Sequence, residues 1–370
     1  MTLKNLSLKN FRIHKKSDIT FSNNLNFIVG GNGQGKTSIL EAIYIMCTTK
    51  NFKASSDSEL TRFGGNEFEI DGKFEDLTED IIRIYFNKSD NKRYYFQNGK
   101  QLNRNAEIIG KFPIVLLTPE DHSLTQGYPA ERRKFVDSVI CQASELYLSS
   151  LLDYNKTLRQ RSNLLFRLNE NYSSSLIDQL EAWDEKLINT GTELIRFRMK
   201  FVLEFEKYVE ESFRFIVDDS EKPVIKYDYL NSYSGDSIEE MFKKLLIEKK
   251  DEEIRRRSNL VGPHRDDFIF LINENELKIF GSQGQHKTFQ VALRFAQYFY
   301  LKDKIGRLPI FLLDDVFGEL DSKRAIRISQ YLKQVGQAFI TITDFANFSF
   351  LHKEEDDAKL LISNGEVSYA

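Results

Sequence analysis

The sequence predicts an α/β fold in which one mixed sheet is built from both chain ends, with an antiparallel β subdomain near the start and a helical insertion between. Three observations carry this expectation. Leu25–Asn26–Phe27–Ile28–Val29 is an apolar run, followed by a glycine-rich loop and then by the helix-like Ser38–Ile39–Leu40–Glu41–Ala42–Ile43–Tyr44. Buried-strand texture returns only late, at residues 309–313, 338–342 and 360–362, alternating with helical stretches as a parallel sheet requires. Between these parts, from about residue 129 to 253, glycines are few and no repeated strand pattern appears.

The elements follow in order. Residues 2–10 and 25–29 read as strands joined by a short connection. Residues 67–74 and 81–86 read as antiparallel strands, and Arg93–Tyr94–Tyr95–Phe96–Gln97–Asn98–Gly99–Lys100 contains an Asn-Gly hairpin turn. Pro113–Ile114–Val115–Leu116–Leu117 reads as a short buried strand. In the middle, Tyr147, Leu151, Tyr154, Leu158, Leu165 and Leu168 alternate by fours and threes, as do Leu176, Leu180, Trp183, Leu187, Gly191 and Leu194, continued by Phe201, Phe205 and Val209. Two such stripes around the polar residues 169–174 predict an antiparallel helical hairpin, its second helix about 35 residues and roughly 50 Å long. The stripes read as helix-packing core, Trp183 included. Residues 267–272 and 277–280 read as returning strands, followed by a helix over about 285–304. The expected division is residues 1–120 and 256–370 as a nucleotide-binding head and 121–255 as a helical arm.

Composition is that of an ordinary soluble globular protein, 41% hydrophobic and 29% charged. No apolar run approaches the roughly 20 residues needed to cross a bilayer, and the N-terminus lacks a signal-peptide core. Cys47 and Cys141 have neither CxxC spacing nor nearby His ligands, so a reducing cytoplasm is expected. A net charge of −3 argues against a strong constitutive grip on nucleic acid. Residues 1–53 nevertheless hold eight basic side chains against Asp18 and Glu41, a local excess of +6. By charge alone this reads as a solvated face.

The loop Gly30–Gly31–Asn32–Gly33–Gln34–Gly35–Lys36–Thr37 is a complete phosphate-binding pattern in the strand–loop–helix context that gives it meaning. Its backbone N–H groups, with those at the start of the following helix at Ser38, would surround an anion at the positive end of the helix dipole. Lys36 would reach the β and γ phosphates of ATP, and the Thr37 hydroxyl would ligate Mg²⁺. Pro309–Ile310–Phe311–Leu312–Leu313–Asp314–Asp315 is an apolar strand ending in two carboxylates. Asp314 is expected on the metal side, and Asp315 beside the attacking water.

Ser282–Gln283–Gly284–Gln285 precedes a helix 30 residues or so before these carboxylates, in the order used by ATPase heads of ABC transporters and SMC proteins. The sequence resembles those heads rather than a kinase or GTPase. The resemblance implies that Ser282, Gly284 and Gln285 cap the γ-phosphate of ATP bound to an opposite subunit, and that Glu319–Leu320–Asp321 is a dimer-contact loop. Leu8–Lys9–Asn10–Phe11–Arg12 resembles the opening of SMC-like ATPases, where the arginine approaches nucleotide.

Within that group the chain resembles the RecF family. Thr118–Pro119–Glu120–Asp121 with Gly127, Pro129, Arg132, Arg133, Phe135 and Asp137 carries the likeness. So do Leu158–Arg159–Gln160–Arg161–Ser162–Asn163–Leu164–Leu165, Trp183–Asp184 and, most specifically, Gly262–Pro263–His264–Arg265–Asp266–Asp267. The likeness runs from about residue 3 to 344. Departures are His14, where the family often has tyrosine, and His286–Lys287, where Gln-Arg is common. Thr343–Asp344 stands where transporter ATPases place a switch histidine, and Glu120 or Asp121 lies roughly where they place a Q-loop glutamine. Plainer readings are solvated faces for Arg132–Arg133 and Arg255–Arg256–Arg257, and a structural brace for His264 and Arg265.

The resemblance implies an ABC/SMC-type ATPase of recombinational repair. It would act in replication-gap processing, close as an ATP-dependent homodimer on gapped or junction-containing duplex DNA, hydrolyse ATP slowly under DNA stimulation, and act with RecR and, through it, RecO. The competing expectation is an ATPase that regulates a protein partner, such as a transporter subunit, without touching DNA. An SMC chromosome protein would need a far longer interval between the motif halves. An ATPase fused to a nuclease would need a further domain after Asp315, where 55 residues remain.

Overall fold

The computed structural model describes residues 1–217, 221–230, 237–319, 321–344 and 354–370. The chain opens with β1 (Thr2–Phe11), β2 (His14–Thr20) and β3 (Leu25–Val29), then α1 (Lys36–Thr48) and the single turn α2 (Asp57–Leu60). Strands β4 (Glu67–Glu75), β5 (Glu79–Asn87), β6 (Lys92–Gln97), β7 (Lys100–Gln101) and β8 (Ile114–Leu117) follow. Helices α3 (His122–Gln126), α4 (Pro129–Ala143), α5 (Glu145–Glu170) and α6 (Ser174–Ile216) come next, then β9 (Pro223–Asp228) and α7 (Ile238–Arg256). The chain continues through β10 (Asp267–Ile272), β11 (Asn275–Glu276), α8 (Leu277–Phe280), α9 (Gln283–Ile305), β12 (Ile310–Asp314), α10 (Ser322–Leu332), β13 (Ala338–Ile342), β14 (Ala358–Ser363) and β15 (Glu366–Tyr369).

Two compact units result. The first holds Met1–Asp121, Glu211–Asp219 and Gln290–Ala370, and the second holds His122–Glu210 and Ser220–Phe289. In the first unit a mixed sheet runs in the order β15-β14-β3-β13-β12-β8, parallel except for β15. Both β12 and β13 are buried along their whole length, which is why they read as unbroken apolar runs. An antiparallel sheet, β2-β1-β4-β5-β6-β7, shows the alternating burial of a sheet with one covered face. Ile39, Leu40, Ile43 and Met46 of α1 join one buried cluster with residues of both sheets, among them Leu8, Ile70, Ile84, Ile28 and Leu312. The helix that begins at the glycine-rich loop is thereby locked between two layers.

The second unit is built on α5 and α6, joined by residues 171–173. Leu164, Leu165 and Leu168 bury against Leu176 and Leu180, with Trp183 packed at the margin, so the stripes are core. Helix α6 runs for 43 residues, about 65 Å, beyond the expected 35. Its last turns belong to the first unit, where Phe215 stacks on Tyr331 at 4.1 Å. Arg161 is fully buried and meets Asp184, Glu253 (2.7 Å) and Asn259 (2.7 Å), a set of charge-assisted hydrogen bonds that satisfies a guanidinium otherwise costly to bury.

The run Gly262–Asp267 proves to be a set of latches inside this unit. Arg198 donates to the Pro263 carbonyl (2.7 Å) and pairs with Asp137 (2.8 Å). His264 Nδ1 lies 2.7 Å from the Tyr154 hydroxyl, and burial pushes the imidazole down to about 4, so it is neutral at pH 7. Arg265 donates to the Asn259 carbonyl at 2.7 Å. Asp267 accepts two parallel bonds of 2.8 Å from Arg132, which is buried rather than on a solvated face.

Local expectations differ from the structure in three places. The connection before β3 contains a strand, β2, which pairs back on β1. The supposed helical middle contains β9, paired with β10 some 40 residues later, a non-local partnership invisible to local pattern. Residues 277–280 form a helical turn instead of a strand. Leu277 is buried there while Ile279 and Phe280 stay exposed, and only Asn275–Glu276 pairs with β10.

Candidate nucleotide-binding site

Parallel register brings the predicted chemistry to one sheet edge. Asp314 at the end of β12 lies opposite Thr341 of β13, and Ile342 lies opposite Val29, the last residue of β3 before the loop. Open parallel sheets form ligand crevices at this carboxyl edge. The loop then turns with φ of +74° at Gly33 and +107° at Gly35, a region that L side chains rarely adopt. A Cβ on Gly35 would also sit 2.7 Å from Ile13 Cγ2 and 2.8 Å from His14 Nε2. Helix α1 starts at Lys36, so its unpaired N-terminal N–H groups face the loop.

Lys36 Nζ donates to the carbonyls of Gly30 (2.6 Å) and Gly31 (3.0 Å). Burial lowers its pKa, and the carboxylates of Asp315 and Asp314 oppose that drop. Asp314 is buried, and its Oδ1 accepts from Thr37 Oγ1 at 2.7 Å and from Thr341 Oγ1 at 2.9 Å. Its Oδ2 pairs with Lys53 at 3.0 Å. Burial pulls the Lys53 pKa down, but Asp314, Glu120 and Glu41 together raise it above the usual lysine value. Asp315 has φ of +52°, which turns it out of the strand, and its N–H donates to Thr341 Oγ1 at 2.9 Å. Asp314 thus faces inward while its neighbour is exposed.

Arg12, Gly31, Asn32, Gly33, Gln34, Gly35, Lys36, Thr37, Ser38, Asp314 and Asp315 all line one cavity of about 770 Å³. Gly30 is not among its lining residues and contributes its carbonyl to Lys36. Arg12 grips Glu41 through two bonds of 2.8 and 3.0 Å and donates to the Glu59 carbonyl at 3.2 Å. His14 is fully buried, with Nε2 3.1 Å from the Gly35 carbonyl and Nδ1 2.9 Å from that of Gly365. It ties the loop to the β14–β15 turn and presents no ring face to a ligand.

Lys53 also lines the cavity, and sequence reasoning left it outside the site. The available signal was the basic excess of residues 1–53. Three of its eight members, Arg12, Lys36 and Lys53, converge here, which corrects the reading of that excess as merely a solvated face. Ser282, Gly284 and Gln285 are not lining residues and belong to the second unit. Ser282 and Gln285 form a reciprocal cap at the start of α9, N–H to Oγ at 3.2 Å and N–H to Oε1 at 2.8 Å. Asp121 is committed to Arg294 by bonds of 2.6 and 2.8 Å, whereas Glu120 stays exposed 4.0 Å from Lys53. Of the expected contact loop Glu319–Leu320–Asp321, Leu320 lies outside the described residues, and Asp321 caps α10 through Arg324 N–H at 3.1 Å.

The donor set suits Mg²⁺. A hydroxyl and a carboxylate oxygen held 2.7 Å apart are hard ligands, and Mg²⁺ typically takes one or two such groups and fills its shell with water and phosphate oxygens. Among the described residues no group of three or more His, Cys, Asp or Glu side chains forms a protein-only cage. Nor, among those residues, is any helix long and apolar enough to cross a membrane.

Comparison with known proteins agrees with this architecture. The family model of the RecF/RecN/SMC N-terminal domain matches residues 2–353. The chain is 37% identical to the DNA replication and repair protein RecF of Salinibacter ruber, over 93% of this chain and 85% of that one. It is 38% identical to RecF of Chloroherpeton thalassium, over 94% and 96%. Two solved structures of the recombination mediator protein RecF in the RecFOR pathway, RecF-ATPrS and RecF-ATP, each match with a TM-score of 0.88 and 31% identity. They cover 100% of this chain and 98% and 97% of theirs. An Smc head bound to the C-terminal winged-helix domain of ScpA shares the fold, with a TM-score of 0.57 at 16% identity over 100% of this chain and 97% of that one. The fold is that of an ABC/SMC-type ATPase head carrying an inserted helical arm, and the chain belongs to the RecF family of DNA replication and repair proteins.

Proposed function

We propose that the cavity binds ATP with Mg²⁺ and hydrolyses it, and that two copies sandwich two nucleotides to close on duplex DNA. The observation that carries the reading is the convergence of Lys36, Thr37, Asp314 and Asp315 at one sheet edge beside the glycine-rich loop. In this reading the loop N–H groups of residues 31–38 hold phosphate oxygens, and Lys36 moves from the loop carbonyls onto the β and γ phosphates. Thr37 Oγ1 and Asp314 would hold Mg²⁺, which would supply positive charge beside the phosphate oxygens. Lys53 holds the Asp314 carboxylate in place through their 3.0 Å ion pair. Asp315, turned into the cavity by its left-handed backbone, orients the attacking water and accepts its proton.

In this reading the signature of a second copy completes the site. The exposed Ser282 and the half-buried Gly284 and Gln285 stand at the start of the 23-residue helix α9, whose N-terminal N–H groups suit the γ-phosphate held by a second copy. Closure would join two basic surfaces, which accounts for DNA binding by an acidic chain. Phosphate contacts would dominate, with weak sequence preference and steep salt dependence. The RecFOR setting of the matched structures supports RecR, and RecO through it, as partners, and a cytoplasmic site of action.

Ser282→Arg tests the signature's part. The serine is exposed, so the variant should fold and bind ATP as a monomer, yet fail to dimerise with ATP in sedimentation velocity. Undiminished ATP-dependent dimerisation would show that α9 does not meet the partner's nucleotide.

A further inference from the structure

We propose that the end of the helical hairpin carries an arginine surface that docks an acidic segment of a partner protein. The surface belongs wholly to the second unit and lines no part of the nucleotide cavity. It joins Arg159 of α5, Arg256 and Arg257 at the end of α7, and Arg265 of the run that follows, all of them exposed. Among the described residues, the only carboxylate paired with any of them is Glu252, 2.8 Å from Arg256. By charge alone Arg256 and Arg257 read as a solvated face, but the contacts around Arg257 and Arg265 are those of fixed groups.

The Arg257 guanidinium carbon stands 4.9 Å from the centre of the Phe166 ring, and its Nε donates to Asn169 Oδ1 at 2.6 Å. Its backbone is left-handed, with φ +54° and ψ +35°, at a helix end where glycine or asparagine is the usual residue. The fold thus carries a long charged side chain where its backbone favours none. Arg265 is held from behind as well. Its Nε and Nη2 donate to the Asn259 carbonyl at 3.1 and 2.7 Å. Asn259 Nδ2 in turn donates to the Leu158 carbonyl (3.1 Å) and Ser162 Oγ (2.7 Å) of α5. Each guanidinium has one edge tied to the protein and another open. Arginine forks pair carboxylates through two bonds, and forks already immobilised lose little freedom in doing so. Arg159 and Phe166 lie two turns apart on one face of α5, about 11 Å, which matches carboxylates three residues apart on an extended chain. Two features favour an acidic polypeptide over nucleic acid. The Phe166 ring is already stacked by Arg257 instead of standing bare for a base. Glu252 and the exposed Glu170, next to Asn169, would repel a continuous phosphate backbone.

The test is fluorescence anisotropy without nucleotide, using a labelled glutamate dodecamer beside a Gly-Ser dodecamer and an oligothymidylate of equal charge. Wild type should bind the glutamate peptide at low salt, and release it as salt rises. Arg257→Gly and Arg159→Gln should each bind about tenfold more weakly or worse, the effect of one lost charge-assisted contact. Arg257→Lys should not restore binding, because an ammonium lacks the fork. Arg257→Gly should melt no lower than wild type, since glycine suits the left-handed backbone. A lower melting temperature would make Arg257 a brace of the hairpin, and Arg159→Gln would then decide. Unchanged peptide affinity in Arg159→Gln and Arg257→Gly would overturn the proposal, as would a wild type that does not bind the peptide. Oligothymidylate that binds more tightly than the peptide, and is lost in the same variants, would overturn it in favour of a nucleic-acid surface.

Discussion

Asp315→Asn is expected to lower ATP turnover by about a hundredfold or more while leaving ATP affinity within a fewfold of wild type, read by steady-state phosphate release and by titration. The size follows from what a positioned general base contributes, roughly 10²- to 10⁴-fold. The substitution isolates that contribution. Asparagine matches aspartate in shape and, like it, tolerates the left-handed backbone found here at φ +52°. The N–H bond to Thr341 Oγ1 involves only the main chain and is retained. What changes is the basicity of one exposed side chain and one negative charge near Lys36. Turnover at the wild-type rate would remove Asp315 from the hydrolytic machinery.

Gly262→Ala should strongly destabilise the second unit. Gly262 has φ of +126°, and a Cβ there would lie 2.5 Å from the Tyr154 hydroxyl and 2.8 Å from Phe242 Cζ. Backbone strain and overpacking together come to about 3–5 kcal/mol. Gly306→Ala provides the comparison, since φ is +72° but nothing lies within 4 Å of its Cβ. It should lose only the backbone part, about 1 kcal/mol. Urea titration followed by limited proteolysis within α5 and α6 separates the two. A Gly262→Ala midpoint no lower than that of Gly306→Ala would show that the Tyr154–His264 latch can yield. Adding Tyr154→Phe to Gly262→Ala should recover part of the loss, because the hydroxyl is the first atom struck.

The parts legible in the sequence were those whose signals are local. The loop at residues 30–37 lies between its own strand and helix, and Asp314–Asp315 ends an apolar strand, so neighbouring residues announced both. The hairpin stripes were equally plain, since Leu164, Leu168, Leu176 and Leu180 lie close in sequence and meet in one cluster. Lys53 was not legible as a site residue. It occupies an irregular stretch after α1, and only the fold sets it 3.0 Å from Asp314, which is more than 250 residues away. Strand β9 escaped for the same reason, because its partner β10 is remote. The run Gly262–Asp267 stood out as a family mark, but its physical role could not be read. Its partners Arg132, Tyr154 and Arg198 come from three different helices. These contacts make the run a fastening of the second unit.

Light scattering of the Asp315→Asn protein with a duplex of arbitrary sequence reads whether ATP closes two copies on DNA. Because this variant should bind ATP without consuming it, the closed state would persist. With ATP, the expected species is a complex whose mass equals two 43.3-kDa chains plus the duplex, and no such complex forms without nucleotide. That complex should weaken steeply as salt rises. A monomer on DNA irrespective of ATP, or an ATP-dependent dimer with no affinity for the duplex, would contradict closure on DNA by ATP; the second result would indicate an ATPase that serves a protein partner.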